Sequence, residues 1–454
     1  MAIQTLNPYT EKIEKTYAAI SSIQASKKIE AAHEAHMKWK LLSVKQRAKF
    51  LRKVALNLSK NKEEYAKVIS KEMGKPIKAA ASEISKCALN CNFYAYNTEK
   101  FLKAELHDTE FRHARVEFEP LGVLLGVMPW NFPFWQVFRF AAPALMAGNA
   151  VVLKHASNVP ECALLIEKIF KDSGLPKNLF VALLVESSQV EEVIRNPLVK
   201  AVTLTGSEAA GSKVASIAGS EIKKAVLELG GSDPFIILKG ADLKKAVPAA
   251  IESRMSNAGQ VCVAGKRLIV DKDIYDEVVK MVVLETKKLR VGDPKNEDTD
   301  IGPLAKKDIL DEVLSQVKKT IQKGAMCLLG GNIIKGKGYF FEPTVLSDVR
   351  RGMPAYDAEI FGPVIAIIKA RSDEDAVAIA NDHVYGLGAA VWCKNEKRAF
   401  KVARQIEAGI VAINGIAKSD PRFPFGGTKR SGFGRELGSY GIKEFVNIKT
   451  IIAN

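Results

Sequence analysis

The sequence predicts an α/β fold, on three observations. From Gly122 onward, short apolar runs alternate with segments of helical periodicity. The runs are nearly continuous in apolar residues, as strands covered on both faces of a parallel sheet are. Polar or Gly residues follow several of them at one end, where ligands bind on such sheets. Residues 129–133 (Pro-Trp-Asn-Phe-Pro) follow the first run, Lys154-His155-Ala156-Ser157 the second, Thr205-Gly206-Ser207 a third and Glu228-Leu229-Gly230-Gly231 a fourth. Four such ends describe one cleft.

Taken in order, residues 27–105 read as helices. Ala31, Ala32, Ala35 and Trp39 recur at helical spacing, Ser43 is placed to cap the next helix, and Pro76 breaks the pattern before a long third segment. Residues 110–119 alternate polar and apolar, as a half-exposed strand does, and His113 falls among the polar positions as a surface residue. Strands at 123–127, 150–154, 180–185 and 201–205 then alternate with helices at 137–147, 159–171, 190–195 and 208–217. The second half repeats the scheme, with strands at 234–238, 267–270, 326–329 and 364–369 and helices at 243–258, 274–289, 311–323 and 374–381. The Gly/Lys-rich stretch 331–338 is a surface turn. Residues 444–452 alternate again and pair naturally with 108–126 as an oligomer edge.

A chain of 454 residues holds two or three domains, and 47% hydrophobic with 26% charged residues describes an ordinary globular protein. The net charge of +16 comes from Lys spread over many helices, without a basic block or interleaved aromatics. It therefore predicts no nucleic-acid partner, only attraction for an anionic ligand. No run of 18 apolar residues predicts a membrane span, and residues 1–16 lack the basic start and apolar core of a signal peptide. The six Cys include no CxxC, which predicts neither disulfides nor a metal site and suits a reducing, cytoplasmic setting. Cys87 and Cys91 share a helical face and read as a buried pair.

Five features carry candidate chemistry. Cys262 follows a small, polar turn (257–261), which suits either an exposed nucleophilic thiol or a structural Cys. Glu228, before two Gly, is placed to activate water if burial raises its pKa, or is simply a strand-end carboxylate. Asn131, between aromatics and two Pro, is a rigid amide donor for an oxyanion, or a turn residue. Gly206 and Gly211 frame a helix start able to face a diphosphate, although the spacing is not GxGxxG. Lys154 is either a ligand to ribose or phosphate or a strand-end Lys.

Six ordered motifs settle these alternatives by resemblance: Pro-Trp-Asn-Phe-Pro at 129–133, Thr-Gly-Ser at 205–207, Leu-Glu-Leu-Gly-Gly at 227–231, Gly-Gln-Val-Cys at 259–262, Glu-Ile-Phe-Gly-Pro at 359–363 and Pro-Phe-Gly-Gly-Thr-Lys-Arg-Ser-Gly at 424–432. The chain resembles the NAD(P)-dependent aldehyde dehydrogenase superfamily over nearly its whole length. The resemblance implies a Rossmann-type cofactor domain (1–107 and 121–231), an α/β catalytic domain (232–428) and oligomerisation strands (108–120 and 444–454) of a homodimer or homotetramer. It implies Cys262 as nucleophile, Asn131 and the Cys262 N–H as oxyanion donors, and Glu228 as base for thioester hydrolysis. NAD or NADP would be held by Trp130, Lys154, Ser157, Gly206, Ser207, Gly211, Leu229, Glu359 and Phe361.

Within the superfamily the chain is most similar to succinate semialdehyde dehydrogenases. Arg139 and Ser419 fall where those enzymes hold the substrate's distal carboxylate. A second Arg common six residues before the Cys is replaced by Ser256, with Arg254 nearby. Ser157 stands where strict NAD users often carry Glu and leaves room for a 2′-phosphate. Ala264 stands where some relatives have a second, redox-active Cys. A general aldehyde dehydrogenase, or one for another omega-carboxy or medium-chain aldehyde, is the alternative. Glu228 argues against a coenzyme A acyl-transferring relative, and Cys262, Glu228 and Asn131 together argue against a catalytically silent one.

Overall fold

The computed structural model describes residues 3–454. The expected cofactor-binding unit begins at Met1, which with Ala2 lies outside the described residues. After an antiparallel hairpin (Ile3–Asn7 with Lys12–Tyr17), four helices follow: Ser22–Trp39, Val44–Lys60, Lys62–Met73 and Ile77–Phe101. Ser21 and Ser43 each form a reciprocal capping box with a Gln three residues on, which is why the first two helices start there.

A parallel five-stranded sheet comes next. Its strands lie in the order Phe180–Ala182, Ala150–His155, Val123–Met128, Val199–Thr205, Lys224–Glu228. The chain order reverses between Val123–Met128 and Val199–Thr205, so the crevice at their carboxyl ends is the topological switch point of a doubly wound sheet.

The second sheet has seven strands in the order Met326–Leu329, Thr344–Ser347, Val364–Ala370, Gly265–Asp271, Asp233–Ile237, Gly388–Trp392, Ile410–Ile413. All its pairings are parallel except the first. Each sheet anchors its own hydrophobic core. A separate antiparallel ribbon pairs Val446–Ala453 with His113–Pro120, and Glu105–Leu106 adds to the latter's other edge.

The expected 201–205 strand starts earlier, at Val199, and the 180–185 strand ends at Ala182. The expected helix over 243–258 stops at Met255. There Asn257 and Ala258 both take left-handed φ of 53° and Gly259 follows at 74°, so the chain unwinds against its helical sequence pattern. This unwound turn delivers Cys262. Cys87 and Cys91 are a buried pair as expected, and His113 is exposed.

Candidate active site

The site forms where the carboxyl ends of the first sheet meet the loops entering the second. Glu228 ends the last strand of one sheet, while the Cys262 turn and the Glu359–Phe361 loop precede strands Gly265–Asp271 and Val364–Ala370 of the other. Gly231 permits the approach: a Cβ there would lie 2.9 Å from the Cys262 carbonyl oxygen. The Asn131 amide donates from Nδ2 to the Gln260 carbonyl at 3.0 Å, and Asn257 Nδ2 returns a bond to the Asn131 carbonyl at 2.9 Å. The Asn131 amide has a second N–H to offer a ligand. The 424–432 motif braces the same turn, because Leu229 N donates to Ser431 O and Ser431 Oγ donates to Gly230 O at 2.7 Å.

Cys262 is half-buried in a cavity of about 200 Å³ that also touches Phe132, Trp135, Arg139, Ser256 and Ser419. Burial pushes its thiol up to about 11, against the pull of Arg139 and Lys266. The thiol is therefore protonated at rest, unlike the activated thiolate its polar turn suggested.

Glu228 is 2% exposed and neither carboxylate oxygen has a hydrogen-bond partner. Burial holds its pKa well above the carboxylate range, opposed by Arg139 and reinforced by Glu436. One guanidinium thus stands between two buried carboxylates. Arg139 is ion-paired with Glu436 and donates from Nη2 to Thr205 Oγ1 at 3.1 Å, with its guanidinium 4.7 Å from the Phe425 ring centre.

The expected cofactor residues line the other side. Trp130 and Phe361 meet edge to face with ring centres 5.8 Å apart. Glu359 accepts from Gly231 N at 3.3 Å, and a Cβ on Gly230 would lie 2.4 Å from its Oε2. Ser207 caps helix Glu208–Ser220 by accepting from Ala210 N. A Cβ on Gly206 would make only an ordinary contact with Leu204 at 3.5 Å, whereas Gly211 is needed for packing, since a Cβ there would meet Leu229 at 2.4 Å. Lys154 is buried, its Nζ reaches only Ser187 Oγ at 3.4 Å, and no acid pairs with it among the described residues. Burial lowers its pKa, with the nearby Lys306 charge adding to the effect. A buried cation without an anion, beside an open helix N-terminus, fits an anionic dinucleotide. Ser157 is half-buried three residues further on.

Lys266 escaped the sequence reading, and Arg254, noted there only as an Arg near Ser256, takes a different role. Lys266 donates to the carbonyls of Val261 (2.8 Å) and Cys262 (2.6 Å) and pairs with Glu359 at 3.0 Å, tying nucleophile loop to cofactor loop. Arg254 faces away from the cavity that Ser256 lines. It donates to the carbonyls of Val364 (2.6 Å), Gly259 (3.0 Å), Ile360 (2.7 Å) and Gly362 (2.5 Å). Each buried carbonyl left without a partner costs about 1–3 kcal/mol. Arg254→Met is therefore expected to lower the melting temperature and to cut turnover by loosening the strained 257–259 turn, read by thermal denaturation alongside initial rates.

The model of the aldehyde dehydrogenase family matches residues 1–451. A Synechocystis protein named "Probable succinate-semialdehyde dehydrogenase (NADP(+))" is 49% identical over 451 residues, 99% of each chain. Succinate-semialdehyde dehydrogenase (NADP(+)) 1 of Mycobacterium tuberculosis is 46% identical over 454 residues, again 99% of each. The crystal structure of succinic semialdehyde dehydrogenase from Streptococcus pyogenes in complex with NADP+ superposes with a TM-score of 0.98 at 38% identity, covering 100% of both chains. With the family model matching residues 1–451 and relatives 46% and 49% identical over 99% of each chain, the chain belongs to the aldehyde dehydrogenase family.

Proposed function

We propose that the protein oxidises succinate semialdehyde to succinate with NAD(P)+, with NADP+ preferred. The observation that carries the substrate reading is the polarity of the Cys262 cavity, whose lining includes Arg139 and Ser419 together with apolar Phe132, Trp135 and Phe425. Such a lining suits a short aliphatic aldehyde ending in a carboxylate. The names of the relatives point the same way.

The Cys262 thiol releases its proton to solvent, and Sγ attacks the aldehyde carbon. The oxyanion is held by Asn131 Nδ2 and the Cys262 N–H. Trp130, Lys154, Ser157, Gly206, Ser207, Leu229, Glu359 and Phe361 hold the dinucleotide, with Gly211 setting the helix close to the sheet. The bound nicotinamide supplies the hydride acceptor. Glu228 then takes a proton from water as that water attacks the Cys262 thioester. We read residues 1–107 with 121–231 as the cofactor-binding domain, 232–428 as the catalytic domain, and 108–120 with 444–454 as oligomerisation strands.

Among the described residues the outer edge of Val446–Ala453 is unpaired, and Ile448 and Ile452 are exposed on that strand, which suits a homodimer or homotetramer. Six free Cys suit the cytoplasm, and no helix is long and apolar enough to cross a membrane among the described residues.

The test is reduced-nicotinamide formation with succinate semialdehyde and with butyraldehyde, each with NAD+ and NADP+. Preference for the semialdehyde supports the reading, and equal use of both sinks it. Ser157→Glu is expected to raise the KM for NADP+ by about tenfold or more, because a carboxylate facing the 2′-phosphate costs at least about 1.4 kcal/mol. NAD+ should suffer less, and an unchanged NADP+ to NAD+ ratio would remove Ser157 from the cofactor site.

A further inference from the structure

Helix Ile77–Phe101 sends one cation into the Cys262 cavity. Lys86 lines it, donates from Nζ to Ser419 Oγ at 2.8 Å, and holds its ammonium 4.2 Å from the centre of the Trp135 ring. No carboxylate lies within ion-pair distance of Lys86 among the described residues. Glu252 lines the same cavity without an ion pair among the described residues, and the two other acids near Lys86 are engaged elsewhere. Glu83 takes Lys75 on one oxygen and the N–H groups of Phe134 (2.8 Å) and Trp135 (2.9 Å) on the other. Asp420 is clamped by Arg422 through two bonds, 2.9 and 2.7 Å. The other charged groups facing Lys86 are Arg139 and Lys418, and the thiol of Cys87 adjoins it. Arg139 differs from Lys86 in being matched by Glu436 already. Ser419 completes the arrangement: its oxygen accepts from both Lys86 Nζ and Trp135 Nε1 (3.0 Å), so its own proton is left to donate to a further acceptor.

We propose that Lys86, together with Ser419, binds the distal carboxylate of the aldehyde substrate and sets the preference for a carboxylate-bearing aldehyde over an uncharged one. An ammonium and a hydroxyl then face one carboxylate, a charge-assisted pair in a partly dry cavity. Arg139 lines the same cavity and adds positive potential, its charge already shared with Glu436. The inference rests on the semialdehyde reading above. Burial, with the charge of Arg139, brings the Lys86 ammonium down to about 8. The contact should therefore weaken as the pH rises through that value.

The test compares kcat/KM for succinate semialdehyde and butyraldehyde in the wild-type chain and in Lys86→Met and Lys86→Arg, at saturating NADP+. The wild type is expected to favour the semialdehyde, and Lys86→Met to lower that preference by about 10–100-fold, chiefly through KM. Lys86→Arg keeps most of the preference. In the wild type alone, the KM for the semialdehyde climbs between pH 7 and 9.5 while that for butyraldehyde does not, and in Lys86→Arg the climb is absent. A folded Lys86→Met that retains the full preference, or a wild-type KM flat across this range, overturns the role of Lys86 and leaves the substrate reading standing. A wild type that uses both aldehydes equally overturns both.

Discussion

Cys262→Ala is expected to abolish aldehyde oxidation, by about five orders of magnitude or more as for other covalent nucleophiles, while the dissociation constant for NADP+ stays within about threefold. The separation follows from how the loop is held. The main chain at residue 262 is fixed by Lys266, which grips the Val261 and Cys262 carbonyls, and by the close approach of Gly231. Neither restraint uses the sulfur. The dinucleotide crevice proposed above draws on Lys154, Ser207, Trp130 and Phe361, none of which hydrogen-bonds the thiol among the described residues. Calorimetric titration of NADP+ into the variant checks binding, and initial rates check turnover. Loss of binding together with turnover would show that the cleft has been misassigned.

The same residue gives a pH prediction. With its thiol pushed up to about 11 by burial, Cys262 is overwhelmingly protonated at neutral pH in the free enzyme. Alkylation by iodoacetamide should be slow at pH 7 and accelerate about tenfold per pH unit up to that value, since only the thiolate reacts. A fast reaction at pH 7 in the free protein would mean that a base already holds the thiol proton.

What the sequence made legible was contiguous. The strand ends carrying Asn131, Lys154, Thr205 and Glu228 could be aligned because apolar runs mark strands and polar residues mark their termini. The short strands Thr344–Ser347, Gly388–Trp392 and Ile410–Ile413 were not anticipated. Ala and Gly fill much of Gly388–Trp392, and runs of four or five residues carry little periodicity. The bonds that assemble the site join residues far apart in the chain. Lys86 meets Ser419 across 333 positions, and Arg254 reaches Gly362 across 108. Spacing cannot report such contacts. The left-handed turn at Asn257 and Ala258 was hidden for another reason. Both residues continue a helical pattern, and only the Arg254 cage and the packing of Gly259 on the Gly362 carbonyl impose the strained conformation.

Glu228→Gln is expected to make the protein more stable and nearly inactive at once, because the position serves chemistry against folding. A buried carboxylate without a single hydrogen bond is costly, on the order of 1–3 kcal/mol for the unmet group. Arg139 and Arg435 relieve it only in part, since Arg139 is already committed to Glu436, whose own charge opposes that relief. The sign follows from linkage. The folded pKa lies above the ordinary 4.5, so the protonated form is favoured in the native state. Its contribution to stability is full below pH 4.5 and is lost as the pH rises through the folded value. Gln removes that loss. The variant should melt close to the wild type near pH 4.5 and above it by a margin that widens toward pH 8. Turnover should fall by about 10²–10⁴-fold, the usual worth of a general base. Because Cys262 is intact, the defect should lie in thioester hydrolysis: a stopped-flow burst of NADPH close to one equivalent, then a slow steady state. The alkaline rise in wild-type kcat should flatten in the variant. A variant that lost the burst as well would place Glu228 at the attack of the thiol rather than at the release of the acid, and one that melted lower at pH 8 would mean that the carboxylate is held by a partner the geometry does not reveal.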